Sequence, residues 1–149
     1  MKKIIIAAAL MILLTSCAAK DASLPDPADL YAAIESAVEL PEMIDVTGEY
    51  LEPTIGVEAI EYDSAVYYIP PVGVTPDEIV IVKAKDTAAA KIIQEKFETR
   101  LAYKAKSAEN YLTEYLPIIN DGVIRRDGLI VSLIVTDKAA QIVEIFNNY

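Results

Sequence analysis

Val123-Ile124-Arg125-Arg126-Asp127-Gly128-Leu129-Ile130-Val131-Ser132-Leu133-Ile134-Val135 is the stretch that decides the fold. Two strand-like runs flank Asp127-Gly128, and this dipeptide suits a tight turn whose residues need positive φ. The pattern predicts a β-hairpin with a primed turn at Asp127-Gly128. Upstream, Glu78 to Lys83 contains Ile79-Val80-Ile81-Val82 with no polar break. A short run of that kind predicts a strand buried on both faces. Ala65 to Ile69 reads as another strand, with Pro70-Pro71-Val72-Gly73 as a loop between the two. Adjacent strands followed by segregated helical patterns argue an α+β domain. The expected architecture is a mainly antiparallel sheet of about four strands, in two pairs, packed against a long helix plus shorter helices.

The helices are placed by their punctuation. Asp26-Pro27 supplies a cap and a first-turn proline, and Leu30, Ile34, Ala37 and Val38 form an apolar face before Pro41. Asp86 is the expected cap of the longest helix, Thr87 to about Tyr111, with Ile93, Phe97, Leu101, Ala108 and Tyr111 toward the sheet. A short helix follows around Thr113 to Asn120, and Asp137 is expected to cap a last one through Phe146. Between Glu42 and Asp63, broken by Gly48, Pro53 and Gly56, the pattern allows a brief strand near Met43 to Val46 and a helical turn near Tyr50.

The amino terminus reads as an address. Met1-Lys2-Lys3 is followed by eleven apolar residues, Ile4 to Leu14, and then Thr15-Ser16-Cys17. Positive, apolar, then small is the layout of a secretory signal, and a bilayer span would need about 20 apolar residues. Leu14-Thr15-Ser16-Cys17 resembles the lipobox of bacterial lipoproteins. Residues 1–16 are thus expected to be a signal peptide, and residues 17–25 a lipidated cysteine with a short tether. Residues 26–149 are expected to form one α+β domain. Cys17, the sole cysteine, would carry acyl chains of the palmitate kind, and two chains anchor a protein stably. The expected location is the extracytoplasmic face of the cell membrane, with membrane lipid as the first partner. Eight tether residues, Ala18 to Pro25, reach at most about 29 Å.

Charge is distributed unevenly. After removal of the signal the chain has 11 basic and 23 acidic residues, a net charge of −12. Asp21 to Val82 holds fourteen carboxylates and no Lys or Arg, whereas Lys83 onward holds nine acidic and ten basic residues. Such a field disfavours nucleic acid, which needs a basic patch. Lys96, Arg100 and Lys104 recur every four residues and so stripe one flank of the long helix. They read as a solvated face that partly neutralises the acidic half, or as a contact for anionic headgroups or a partner.

Composition narrows the chemistry further. The chain has no His, which removes imidazole acid–base catalysis, His triads and His-ligated zinc. Lipidation of Cys17 would remove thiol chemistry. Carboxylate pairs remain, with Glu58, Glu61 and Asp63, or Asp77 and Glu78, as the candidates. No calcium loop of alternating oxygen ligands is present. No catalytic, metal or cofactor site is therefore assigned. Tyr67-Tyr68 beside Pro70-Pro71 is a candidate aromatic lip for a ligand, against the plainer reading that strand aromatics pack a core and cover an edge.

The lipobox, the Asp77-Glu78-Ile79 strand start, Lys83-Ala84-Lys85 and the long helix with Arg100 and Tyr111 carry a likeness. From about Ala28 onward the chain resembles a family of small, uncharacterised lipoproteins of Gram-positive anaerobes, a domain of unknown function. It departs at Arg125-Arg126-Asp127-Gly128-Leu129, where a glycine followed by an aromatic is expected. The resemblance implies a cell-envelope location and brings no catalytic residues. Together these readings point to a non-enzymatic binding or structural module of the cell envelope with a protein partner. The alternative is a small-ligand or cation-binding accessory lipoprotein of a transporter. A carboxylate-based hydrolase is third.

Overall fold

The computed structural model describes residues 24–71 and 75–149. The expected signal segment, Cys17 and most of the expected tether lie outside the described residues, as do Val72 and Gly73 of the loop. The elements run α1 (Pro27–Ala37), β1 (Ile44–Asp45), α2 (Thr47–Tyr50), a π-helical turn (Leu51–Ile55), β2 (Tyr62–Ile69), β3 (Glu78–Ala84) and α3 (Thr87–Tyr111). A 3-10 turn (Thr113–Tyr115), α4 (Leu116–Asn120), β4 (Val123–Asp127), β5 (Ile130–Val135) and α5 (Ala139–Asn147) complete the described chain.

The fold is α+β, and its sheet has five antiparallel strands in the order β1-β2-β3-β5-β4. The expected count of about four becomes five, because the brief strand expected near Met43 to Val46 is β1 and joins the same sheet. Two residues long, it lies on the sheet edge with Ile44 opposite Ile69 and Asp45 opposite Tyr68. A strand this short has too little length to show an alternating pattern, and its pairing with β2 defines it.

Both central strands read as the sequence predicts. All but Lys83 of β3 and every residue of β5 are buried, because helices cover both faces of the sheet. Val80, Val82, Ala84, Val131, Leu133 and Val135 pack with Ile93 and Phe97 of α3 on one face. Ile79, Ile81, Ile130 and Ile134 pack with Leu30, Ile34 and Ile142 of α1 and α5 on the other. Successive strand residues point to opposite faces, so the continuous apolar run serves two cores at once.

The helix caps follow the local rule in two cases of three. Asp26 Oδ1 accepts from the Ala28 amide at 2.9 Å, and Asp86 Oδ1 accepts from the Ala89 amide at 2.8 Å. Asp137 does not cap α5. Lys138 occupies the cap position and makes no side-chain capping bond, and its Nζ pairs with Asp137 at 3.1 Å. In α1, Tyr31 is buried and Ala37 exposed. Tyr111 is 87 % exposed rather than packed on the sheet. At 1.5 Å per residue α3 is about 37 Å long, while a seven-residue strand covers about 24 Å. The helix overhangs the sheet, and its last residue has nothing beneath it.

The hairpin turn is also one residue later than expected. Asp127 pairs with Ile130, so Gly128 and Leu129 form the loop. Gly128 has φ +61° and no non-glycine residue has positive φ among those described. Gly at the first central position with an ordinary second residue is the II′ arrangement, which matches strand twist as well as the expected turn does.

Candidate functional site

Glu78 begins β3 and points to the α3 face, where it is 0 % exposed. A buried carboxylate is costly unless it is paired and hydrogen-bonded, and four donors meet this one. Tyr67 Oη donates to Oε1 at 2.8 Å, and Arg100 Nε donates to the same oxygen at 2.9 Å. Arg100 Nη2 reaches Oε2 at 3.1 Å and Lys104 Nζ reaches it at 2.7 Å. Burial alone would raise the Glu78 pKa, but Lys104 and Arg100 together outweigh it and hold the carboxyl below its ordinary range. Burial also pushes the Tyr67 phenol well up, and the charge of Glu78 adds to it, with Arg100 opposing. Tyr67 therefore remains a donor. Arg100 would lose basicity through burial, yet the bonds to Glu78 reverse this and raise its pKa.

The helix stripe found in the sequence is divided by the fold. Arg100 and Lys104 are tied to Glu78, each with a side chain 17 % exposed. Lys96, one turn earlier, bonds both oxygens of Glu61 at 2.6 Å and the Gly56 carbonyl at 2.7 Å. Glu61 also accepts from the Glu58 amide at 2.7 Å, so Lys96 fastens the loop after the π-helical turn. All three cations thus pair with carboxylates of the acidic half of the chain.

Tyr67 and Tyr68 go to opposite faces of β2. Tyr67 lies on the α3 side beside Pro70 and Pro71. Tyr68 stacks on Tyr31 of α1 with ring centroids 3.5 Å apart and planes 4° from parallel. The expected lip is thereby split, and Tyr67 alone reaches a cleft.

That cleft has a volume of about 340 Å³ and opens between α3 and the π-helical turn. Tyr67, Arg100 and Lys104 form its charged floor, with Tyr50 and Thr54 on one wall and Asp77 and Thr75 on the other. π-helical turns are rare and are found often at functional sites. Here Thr54 of the turn lines the cleft together with Arg100. Arg100 gives Nε and Nη2 to Glu78, and the Tyr67 hydroxyl is a further side-chain partner of the guanidinium. A guanidinium held side-on by a buried carboxylate is a pre-set donor pair for an incoming acceptor.

A family model for a domain of unknown function, DUF4358, matches residues 36–136. The chain belongs to this family. The matched segment of the DUF4358 domain starts inside α1, ends just after β5, and contains every residue that lines the cleft. Comparison with curated proteins and with solved structures returns no match.

Sequence reasoning singled out Arg100, Lys104, Tyr67 and the Asp77-Glu78 pair separately, without joining them. The joining signal was faint but present. Glu78 is a charge at the head of a run that is otherwise buried, and the following helix carries cations four residues apart. Thr54 had no such signal, because the π-helical turn that presents it depends on packing, and Tyr50 at the end of α2 had none either. Among the described residues there is no cluster of His, Cys, Asp and Glu able to hold a metal ion, and no helix is long and apolar enough to cross a membrane.

Proposed function

We propose that this DUF4358 chain is a lipoprotein, anchored through Cys17 at the outer face of the membrane, whose domain captures a small ligand bearing an anionic group. The role is binding rather than catalysis. The supporting observation is the pair Arg100 and Lys104, immobilised on the buried Glu78 with unused N–H groups along the cleft. Two cations share one carboxylate, so the floor keeps a positive surplus inside a strongly acidic protein. Both side chains are already ordered, so binding an acceptor costs little further entropy. Leu14-Thr15-Ser16-Cys17 supports the anchor.

Arg100, Arg125 and Arg126 are the arginines of the chain, which gives a test with internal controls. Acetate titrated into the ¹⁵N-labelled protein should shift the Arg100 side-chain resonance saturably and leave Arg125 and Arg126 in place. Equal, linear drift of all three would contradict the reading. For the anchor, Cys17→Ala should release the domain from the membrane fraction or leave an uncleaved precursor. Persistent lipid labelling of that variant would place the attachment elsewhere.

A further inference from the structure

Asp77 lies one residue before β3 and is 7 % exposed. Among the described residues its carboxylate accepts no hydrogen bond and joins no ion pair, in contrast to Glu78 beside it. It stands on the wall between two clefts. One is the α3 cleft with Arg100 and Lys104. The other, of about 450 Å³, is lined by Glu39, Asp137 and Lys138 with apolar Leu40, Pro41 and Ile118. Lys138 is already engaged by Asp137. Among the described residues the buried side-chain oxygens left without a partner are those of Ser64 and Ser132, so the Asp77 carboxylate keeps contact with solvent at the cleft. A donor arriving with a ligand would meet it there.

The charges around Asp77 select among ligand types. A simple anion suits Arg100 and Lys104, but it meets Asp77 uncompensated and enters against the field of a mature chain carrying −12, with 11 basic and 23 acidic residues. A simple cation suits Asp77, but it is repelled by the two cations of the floor. A molecule with both charges satisfies both ends and, being neutral overall, is not opposed by the field. Building on the proposed binding role, we infer that the cleft selects a zwitterion: a small molecule whose carboxylate meets Arg100 and Lys104 and whose protonated amine meets Asp77. A free amino acid and a short peptide share that chemistry.

The test compares four probes on the full chain by titration calorimetry: L-alanine, L-alanyl-L-alanine, N-acetyl-L-alanyl-L-alanine and L-alanyl-L-alanine amide. One of the two zwitterions should bind about tenfold or more tightly than both blocked dipeptides, the size of one charge-assisted hydrogen bond. Which of the two it is distinguishes an amino acid from a peptide. Asp77→Asn should erase the advantage over the N-acetylated probe, whereas Lys104→Gln should weaken the zwitterion and the N-acetylated probe alike. If the N-acetylated probe binds wild type as well as the zwitterions do, the zwitterion inference is overturned and anion binding stands. If Lys104→Gln leaves its binding unchanged, the proposed anion site itself fails. Binding of none of the four overturns the inference. Should Asp77→Asn not fold, the ranking of the probes on wild type decides alone.

Discussion

Tyr67 and Tyr68 are adjacent in β2 and end in opposite kinds of environment. Tyr68 turns to the α1 and α5 face, where its ring lies flat on Tyr31 over a core of Ile and Leu side chains. Tyr67 turns to the α3 face, where its hydroxyl joins Glu78, Arg100 and Lys104. The α3 face has its own apolar core around Ile93 and Phe97, so the ionic group is not needed to fill space. Buried ion pairs seldom stabilise more than apolar side chains of the same volume. One face therefore shows what the fold needs, and the other shows what has been added at a cleft.

The largest expected effect falls on the added group. Glu78→Ala leaves Arg100 and Lys104 without their buried partner and should cost about 3–5 kcal/mol, measured by denaturant unfolding. On the opposite face, Ile81→Val removes one methyl and should cost about 0.5–1.5 kcal/mol. Equal costs would mean that the two faces do not differ in kind.

Acid should separate the faces next. The Glu78 pKa is lowered in the folded state, so the unfolded chain takes up the proton first as pH falls. The stability contributed by Glu78 is complete above the ordinary Glu value, about 4.3, and is lost as pH drops through the lower folded value. The gap between wild type and Glu78→Gln should hence narrow on acidification from pH 7. The gap for Ile81→Val should stay constant over the same range. A Glu78→Gln gap that is independent of pH would show that its charge is not what matters.

The two tyrosines give the smallest and most local contrast. Tyr67→Phe removes one of four donors to a buried carboxylate and should cost about 0.5–1.5 kcal/mol. Tyr68→Phe keeps the stacked ring and should change stability by less than about 0.5 kcal/mol. The reverse order would place the hydrogen-bonded tyrosine on the wrong face.

Much of the fold is legible from local rules. Asp26 and Asp86 cap because their carboxylates need only the next two or three amides, and Ile79-Val80-Ile81-Val82 is buried on both faces because nothing in it is polar. Elements that depend on distant partners escape such rules. The brief strand near Met43 to Val46 is legible, but its place at the sheet edge rests on Ile69 and Tyr68, Tyr111 is exposed because α3 outruns the sheet, and the loop residues Gly128 and Leu129 follow from strand register. The site was legible only in pieces. The sequence spacing gives Lys96, Arg100 and Lys104 as a stripe, but the fold assigns the first to Glu61 and the other two to Glu78. The unpartnered Asp77 could not be told from its neighbour by residue type at all.

The most direct test of the account compares thermal unfolding of wild type and Lys104→Gln at pH 7, each alone, with excess L-alanine and with excess L-alanyl-L-alanine. A ligand that binds only the folded state raises stability in proportion to the logarithm of its concentration over Kd. The account predicts a clear rise in Tm for wild type that is largely lost in Lys104→Gln. The same rise in both proteins, or none in wild type with either ligand, would contradict the claim that the cations pinned on Glu78 form a ligand site.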